Sequence, residues 1–297
     1  MKLTGAERTY QAFIYVCVGL LLVISIFPLI YVAGLSFTSE KEFMQRGNMM
    51  VIPYQPTLTG YRRIFLYDSS YLRAFGVSAL RTVVGTSLTL MCTLSMGYVL
   101  SRQDLPGRKA LLIMVMLTVL YSGGLIPTFL VVLDLRLLDT FWAMIIPGLV
   151  DSWGVLVFKQ FFSNLPREIE ESAHMDGCGE VRLLLSIVLP MSLAVTAAMG
   201  LFAAVGHWNS WFDGLIYIQT KTEWQPLQLL LRNLFINANL GFDVNKTNAF
   251  MLGETQTLTP TSLRMVVTMI GTVPILCVYP FLQRYFVKGV YVGAIKG

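Results

Sequence analysis

Two stretches of this chain combine residue types that could do chemistry. The first, residues 206–214, reads GHWNSWFDG. On a continuous helix Asn209 and Asp213 are four apart and share a face, while Trp208 and Trp211 are three apart. Amide and carboxylate hydrogen bonding beside flat aromatic faces is what saccharide binding asks for. Upstream, Asp151 is followed by Ser152 and Trp153 inside an apolar run, and an ionisable residue within a span is a functional hypothesis by default. Each feature also has a plainer reading. Tryptophans at the end of a span form an interfacial belt, and a lone acid pairs with a neighbouring subunit. The second stretch, residues 163–190, reads SNLPREIEESAHMDGCGEVRLLLSIVLP. Catalytic sets are otherwise missing. There is no G-x-x-x-x-G-K-[ST] phosphate loop, no H-E-x-x-H and no paired-cysteine metal spacing. His174 and His207 each stand alone, and a structural role is expected for both.

The elements that position these residues must lie in lipid. Of the residues, 55% are hydrophobic and only 13% charged, about half the charge of a soluble domain. That excludes a water-soluble globule, and it excludes disorder, which needs low hydrophobicity. The net charge of +5 is spread out, unlike the concentrated basic face of a nucleic-acid binder. A bilayer span needs ~20 apolar residues. Such runs fall at about 11–35, 77–100, 110–133, 141–162, 191–217 and 264–285. All must be helices, because an open strand cannot satisfy its backbone in lipid. The first run is too long for a signal-peptide core and reads as a retained span. Asp151 then sits near the middle of the fourth span.

An even number of spans puts both termini on one side. The long segments 36–76 and 218–263 share the other side. The 22 Lys and Arg residues divide evenly between the two sides, but the terminal side has the shorter loops, which leans towards cytoplasmic termini. Arg62, Arg63, Arg73, Arg81, Lys221, Arg232 and Arg264 would ring the far side. They read as ordinary loop charge or as a mouth for an anionic ligand or protein. Asn237, Asn239, Asn245, Thr247 and Asn248 make segment 218–263 suitably polar for a docked partner, though polar loops are the default. Pro28, Pro127, Pro147, Pro274 and Pro280 predict kinks in spans. Cys17, Cys92 and Cys277 lie in spans and Cys178 in a loop, so no disulfide framework is implied.

Segment 163–190 is unusual for a membrane loop. Pro166 opens a helix whose first turn carries Glu168, Glu170 and Glu171. Asp176-Gly177 signals a turn, and Val181, Leu184, Leu185 and Val188 give a second apolar helical face before Pro190. The prediction is helix, glycine turn, helix at the membrane surface. Such an element fills a groove in a partner protein or lies in the interface as an amphipathic helix.

The residues here resemble the EAA loop of ABC-importer permeases: E-A-A, three residues, Gly, nine residues, I-x-L-P. This chain has Glu171-Ser172-Ala173, then Gly177, then Ile187, Leu189 and Pro190, with serine for the first alanine. The segments FPLIYVAGLSFTS, PTLTGYRRIF and YFVKGVYVGAIKG are similar to carbohydrate permeases of the maltose-transporter G-subunit type, and most similar to the polysaccharide-import branch that includes alginate permeases. The resemblance implies an all-α integral membrane subunit of a type I importer in the cytoplasmic (inner) membrane, a single permease domain with six spans and cytoplasmic termini. It implies a second permease as heterodimer partner, two ATPase subunits that hold ATP and Mg, and an extracytoplasmic solute-binding protein. It makes 163–190 the coupling loop, with Glu170, Glu171, Ser172, Ala173, Asp176, Gly177, Ile187, Leu189 and Pro190 contributing to the ATPase contact. The C-terminal positions Lys288, Gly289, Lys296 and Gly297 correspond to a tail that reaches the ATPases; a solvated basic tail explains the lysines equally. No catalysis is expected of this chain itself. The substrate implied is an oligo- or polysaccharide, acidic and alginate-like or neutral, passing Asp151, Trp153, Trp208, Asn209, Trp211 and Asp213. In the maltose-type systems the sugar is held mainly by the other permease. A secondary carrier is the alternative outside this family.

Overall fold

The computed structural model describes residues 5–47, 50–67, 69–239 and 260–294. Residues 240–259, with Asn245, Thr247 and Asn248, and the terminal Lys296 and Gly297 lie outside the described residues. The chain divides into two compact units, one of Met1–Ser69 with Leu231–Val273, the other of Ser70–Leu230 with Pro274–Gly297.

The first unit begins with α1 (Gly5–Ser36), which carries Pro28 inside it. Its 32 residues span ~48 Å at 1.5 Å per residue. Tyr10, Phe13, Leu21, Val23 and Ile24 are all exposed along it, as suits a helix whose solvent is lipid. Helix α2 (Glu40–Arg46) is capped by Ser39, whose hydroxyl accepts from the Glu42 N–H at 3.4 Å. The Glu42 carboxylate accepts from the Tyr54 N–H at 2.7 Å and the Gln55 N–H at 3.3 Å. Those bonds, the Tyr54 one foremost, hold its carboxyl below the usual glutamate range. Arg46 pairs with Glu42 at 3.0 Å and stacks over the Tyr54 ring. A short α3 (Thr59–Arg62) runs into a π-turn at Arg63–Tyr67.

The second unit is built on α4 (Ser69–Ser101), the longest uninterrupted helix within it. The remaining expected spans of this unit are broken helices. Span 110–133 is α5 (Arg108–Leu120) and α6 (Leu125–Asp134), bent by 116°. The break falls at Ser122-Gly123-Gly124, where Gly124 at φ +86° takes a conformation that a side chain would resist. Span 141–162 is a pair of 3₁₀ turns, Phe141–Met144 and Ile146–Gly148, followed by α7 (Ser152–Ser163) at 50°. Asp151 is therefore not inside a helix, as expected, but at its N-cap. Span 191–217 is α11 (Leu193–Asn209) and α12 (Phe212–Tyr217), separated by the extended Ser210. Between α7 and α11 lie α8 (Arg167–Met175), α9 (Glu180–Leu183), a π-turn at Leu184–Val188 and α10 (Leu189–Met191). Helix α13 (Leu227–Asn239) and α14 (Pro260–Ala294) complete the described chain. Three single helices and three bent pairs are long and apolar enough for up to six crossings, and no strand occurs among the described residues.

A turn staple holds the far end of this unit. Asp139 has φ +56°. Its carboxylate accepts from the backbone N–H groups of Thr220 (2.8 Å), Lys221 (3.2 Å) and Gln219 (2.7 Å) and from the Thr220 hydroxyl (2.7 Å). These bonds, led by the Thr220 N–H, push its carboxyl down to about 2.

Candidate functional site

Segment 163–191 forms the predicted helix–turn–helix, and the reasons are local. Pro166 starts α8, and Glu168 and Glu170 sit in its positively polarised first turn. Asp176 ends it. Gly177 then takes φ +76° while its N–H donates to the His174 carbonyl at 2.9 Å, a helix stop in which glycine avoids the Cβ penalty. Ala173 and Leu183 are buried from opposite sides of this turn. With Val188 they join Leu94, Tyr98, Phe158, Phe162 and Met199 in one apolar cluster, against which Ile187 and Leu189 pack. The expected face of Val181, Leu184, Leu185 and Val188 is only half right. Val181 and Leu185 are exposed, and Leu183 is buried instead. The π-turn at 184–188 adds a residue to the turn and shifts the buried register. Ser192 then turns the chain by 88° into α11.

Charge ties this element to α4. Arg102, one residue beyond α4, pairs with Glu170 of α8 and, at 2.9 Å, with Glu180 of α9. It also donates to the Tyr98 hydroxyl and lies over the Tyr98 ring. Tyr98 in turn donates to Glu180 at 2.7 Å. Burial raises the Glu180 carboxyl, but the bonds from Tyr98 and Arg102 outweigh it and leave the group below the usual range. His174 bridges the turn, with Nδ1 at 3.2 Å from the Cys178 carbonyl oxygen and Nε2 at 3.4 Å from Glu180. Glu171, Asp176, Gly177 and Pro190 are exposed, and Met175 at the tip is 88% exposed. Ser172 is exposed too, its hydroxyl donating to the Glu168 carbonyl at 2.7 Å.

The second site is a cavity of about 520 Å³ whose lining comes from α4, the 3₁₀ turns, α7, α11 and α12. Asp151 and Trp153 both line it, as does Asp213. The Asp151 N–H donates to Thr93 Oγ1 at 3.3 Å, and its Oδ1 caps α7 by accepting from the Trp153 N–H at 3.2 Å. Asp213 is bound to Arg81 through both carboxylate oxygens. Arg81 also donates to the carbonyls of Met144 (3.0 Å) and Ser210 (3.3 Å). The aromatic cluster is dispersed, because the break at Ser210 separates residues that one helix would have aligned. Asn209 and Asp213 lie on different helices, as do Trp208 and Trp211. Trp208 is buried edge-on against Phe75 at 5.6 Å, Asn209 is exposed, and Trp211 packs on Phe212. None of these three lines the cavity. His207 does, with Nε2 3.3 Å from Thr89 Oγ1.

Residues 94–291, from the last turns of α4 onward, match the family described as binding-protein-dependent transport system inner membrane component. The chain belongs to this family. It is 41% identical to Protein LplC of Bacillus subtilis (strain 168), over 100% of this chain and 98% of that protein. It is 37% identical to the polygalacturonan/rhamnogalacturonan transport system permease protein YtcP of the same organism, over 98% and 99%. Its fold matches a chain of a bacterial ABC transporter involved in the import of the acidic polysaccharide alginate, with TM-score 0.86, 23% identity and coverage of 96% and 99%. The chain is thus an all-α permease of the type I ABC-importer fold, and the permease family match spans the Arg102 network and the helix–turn–helix that it holds.

Sequence reasoning missed Tyr98, Arg102 and Glu180 as a unit. A signal was present: an arginine at the abrupt end of an apolar run, with two acids ten residues apart flanking a glycine turn. Thr89 and Thr93 left no such mark, because threonine in a span is ordinary.

Proposed function

We propose that this chain is a permease subunit of an ATP-driven importer of oligo- or polysaccharides, acidic or neutral, and that segment 163–190 is its contact with the ATPase. The observation that carries this reading is the helix–turn–helix itself. Its Glu171, Asp176 and Met175 are exposed, while its opposite side is packed and ion-paired to α4. It is an element built to be gripped from outside and to pass displacement inward. The saccharide class is supported by the names of its relatives, which include arabinooligosaccharide permeases. Two ATPase subunits would bind ATP and Mg below, a second permease would complete the pore, and a solute-binding protein would dock on the outer face. Both termini are then cytoplasmic. This chain converts ATPase closure into alternating access, a two-state switch biased from both faces, with the chemistry in the partner.

The test is a mild-detergent pull-down of the tagged chain followed by intact-complex mass spectrometry, for wild type and Gly177→Pro. Proline fixes φ near −65° and removes an N–H, whereas Gly177 needs φ +76° and donates to His174. Wild type should carry a second permease and two ATPase copies, and the variant should keep the permease and lose the ATPases. A wild-type chain that runs alone, or as a homodimer with no ATPase, overturns the reading.

A further inference from the structure

The charge balance of the cavity bears on what can rest against it. Four lining residues carry or can carry charge: Arg81, Asp151, His207 and Asp213. Arg81 gives its positive charge to Asp213 through two oxygens, and the same two Nη groups also donate to two carbonyls, while the buried Nε–H has no partner among the described residues. A guanidinium so engaged has no fork left for a substrate carboxylate. Asp151 has no such partner among the described residues: its N–H donates to the Thr93 hydroxyl and its carboxylate accepts from the Trp153 N–H, both neutral groups. Two aspartates against one guanidinium leave one carboxylate on the wall without an ion-pair partner among the described residues. It sits beside Trp153, whose side chain is half exposed and offers an aromatic face. A volume of about 520 Å³ falls among ligand-sized clefts of ~300–1,000 Å³.

We infer that this cavity is an electronegative saccharide subsite, in which Asp151 accepts hydroxyl hydrogen bonds from an uncharged sugar face and turns uronate carboxylates away. The inference rests on the importer reading above and adds to it a discrimination by charge. An acidic polymer can use this wall only with its carboxylates turned towards another surface. A neutral or esterified one has no such restriction.

Asp151→Asn is a clean probe, because asparagine is as good an N-cap as aspartate and keeps α7 capped while removing the charge. The purified complex in proteoliposomes is given α-1,4-galacturonan oligomers of one length, with carboxyl groups either free or methyl-esterified. ATP-dependent uptake of each is measured. Wild type should favour the esterified form. Asp151→Asn should raise the ratio of free-acid to esterified uptake by roughly threefold or more, the scale of one unpaired charge at a partly screened site. The same ratio is read without transport from tryptophan-fluorescence titration of the complex with each oligomer. A ratio that Asp151→Asn leaves unchanged or lowers in both measurements overturns the inference. A wild-type complex that takes up neither oligomer and contains no ATPase counts against the importer reading instead, and the titration still decides the role of Asp151.

Discussion

Arg81, twelve residues into α4, and Arg102, one residue beyond its end, are used differently. Arg81 is 3% exposed and Asp213, on the cavity wall, 20%; the guanidinium is dry, bound through both carboxylate oxygens and backed by two carbonyls. Arg102 is partly exposed and divides itself among Glu170, Glu180 and Tyr98. The two arginines are 21 residues apart, so ~30 Å along the helix, the thickness of a bilayer core. The dry clamp joins α4 to α12 and to the 3₁₀ turn at Phe141–Met144, all parts of one packed unit. The wet clamp joins α4 to an exposed helix–turn–helix. A buried pair tolerates no partial loss, because a deserted charge has no water to turn to. A half-wet clamp can loosen, exchange partners and re-form. The first suits a fixed joint, the second a joint that must move under load.

The largest expected effect tests that asymmetry within the dry clamp. Asp213→Ala leaves a guanidinium stranded in the more buried of the two positions, and should cost about 3–5 kcal/mol. Arg81→Ala should cost less, because Asp213 is more exposed and keeps the Ser210 hydroxyl at 2.9 Å and the Gly214 N–H at 2.8 Å. Thermal unfolding of the detergent-solubilised protein measures both. The double variant Arg81→Met with Asp213→Leu should recover much of the loss, since an apolar pair of similar volume avoids the desolvation cost. Equal losses in the two single variants would break the comparison.

A smaller effect is expected at the wet clamp. Arg102→Ala should cost only about 1 kcal/mol of stability, as a partly solvated network does, yet it should loosen the helix–turn–helix. The readout is amide hydrogen exchange over 167–183, which should quicken while exchange in α12 stays as in wild type. Arg102→Lys should not restore it, because an ammonium lacks the planar fork that reaches two carboxylates at once. A global loss of protection in Arg102→Ala would make this clamp a fixed joint like the other.

What the sequence revealed follows the range over which each feature is encoded. The helix–turn–helix lies within about thirty consecutive residues, and its proline start, acidic first turn and Asp-Gly stop are all local chemistry. The spans were legible because lipid demands long apolar runs. Their breaks were not, since Ser210, Ser192 and the Ser122-Gly124 bend leave hydropathy almost unchanged. The pairing of Arg81 with Asp213 joins residues 132 positions apart, and nothing in either neighbourhood names the other. Asp213 therefore read as a free acid on a helix that does not continue past Asn209. Asp151 was legible as an acid in a span, but its N-cap role was hidden by the 3₁₀ turns before it.

The smallest expected effect separates the clamps by pH. The Glu180 carboxyl lies below the usual glutamate range in the folded chain. Its contribution is therefore fully present above that range and is lost as the pH falls through the lowered value. Glu180 faces Tyr98, Arg102 and His174, and it is well exposed, so protons reach it readily. Acid below the usual glutamate range should then raise exchange over 167–183 before it affects the helices that Arg81 ties together. Glu180→Gln removes the titrating group, and should give quicker exchange at neutral pH with the acid-dependent rise reduced. If Glu180→Gln kept the full acid response, the loosening would belong to Glu170, the other acid on Arg102, and the clamp would be held chiefly from α8 rather than from both sides of the glycine turn.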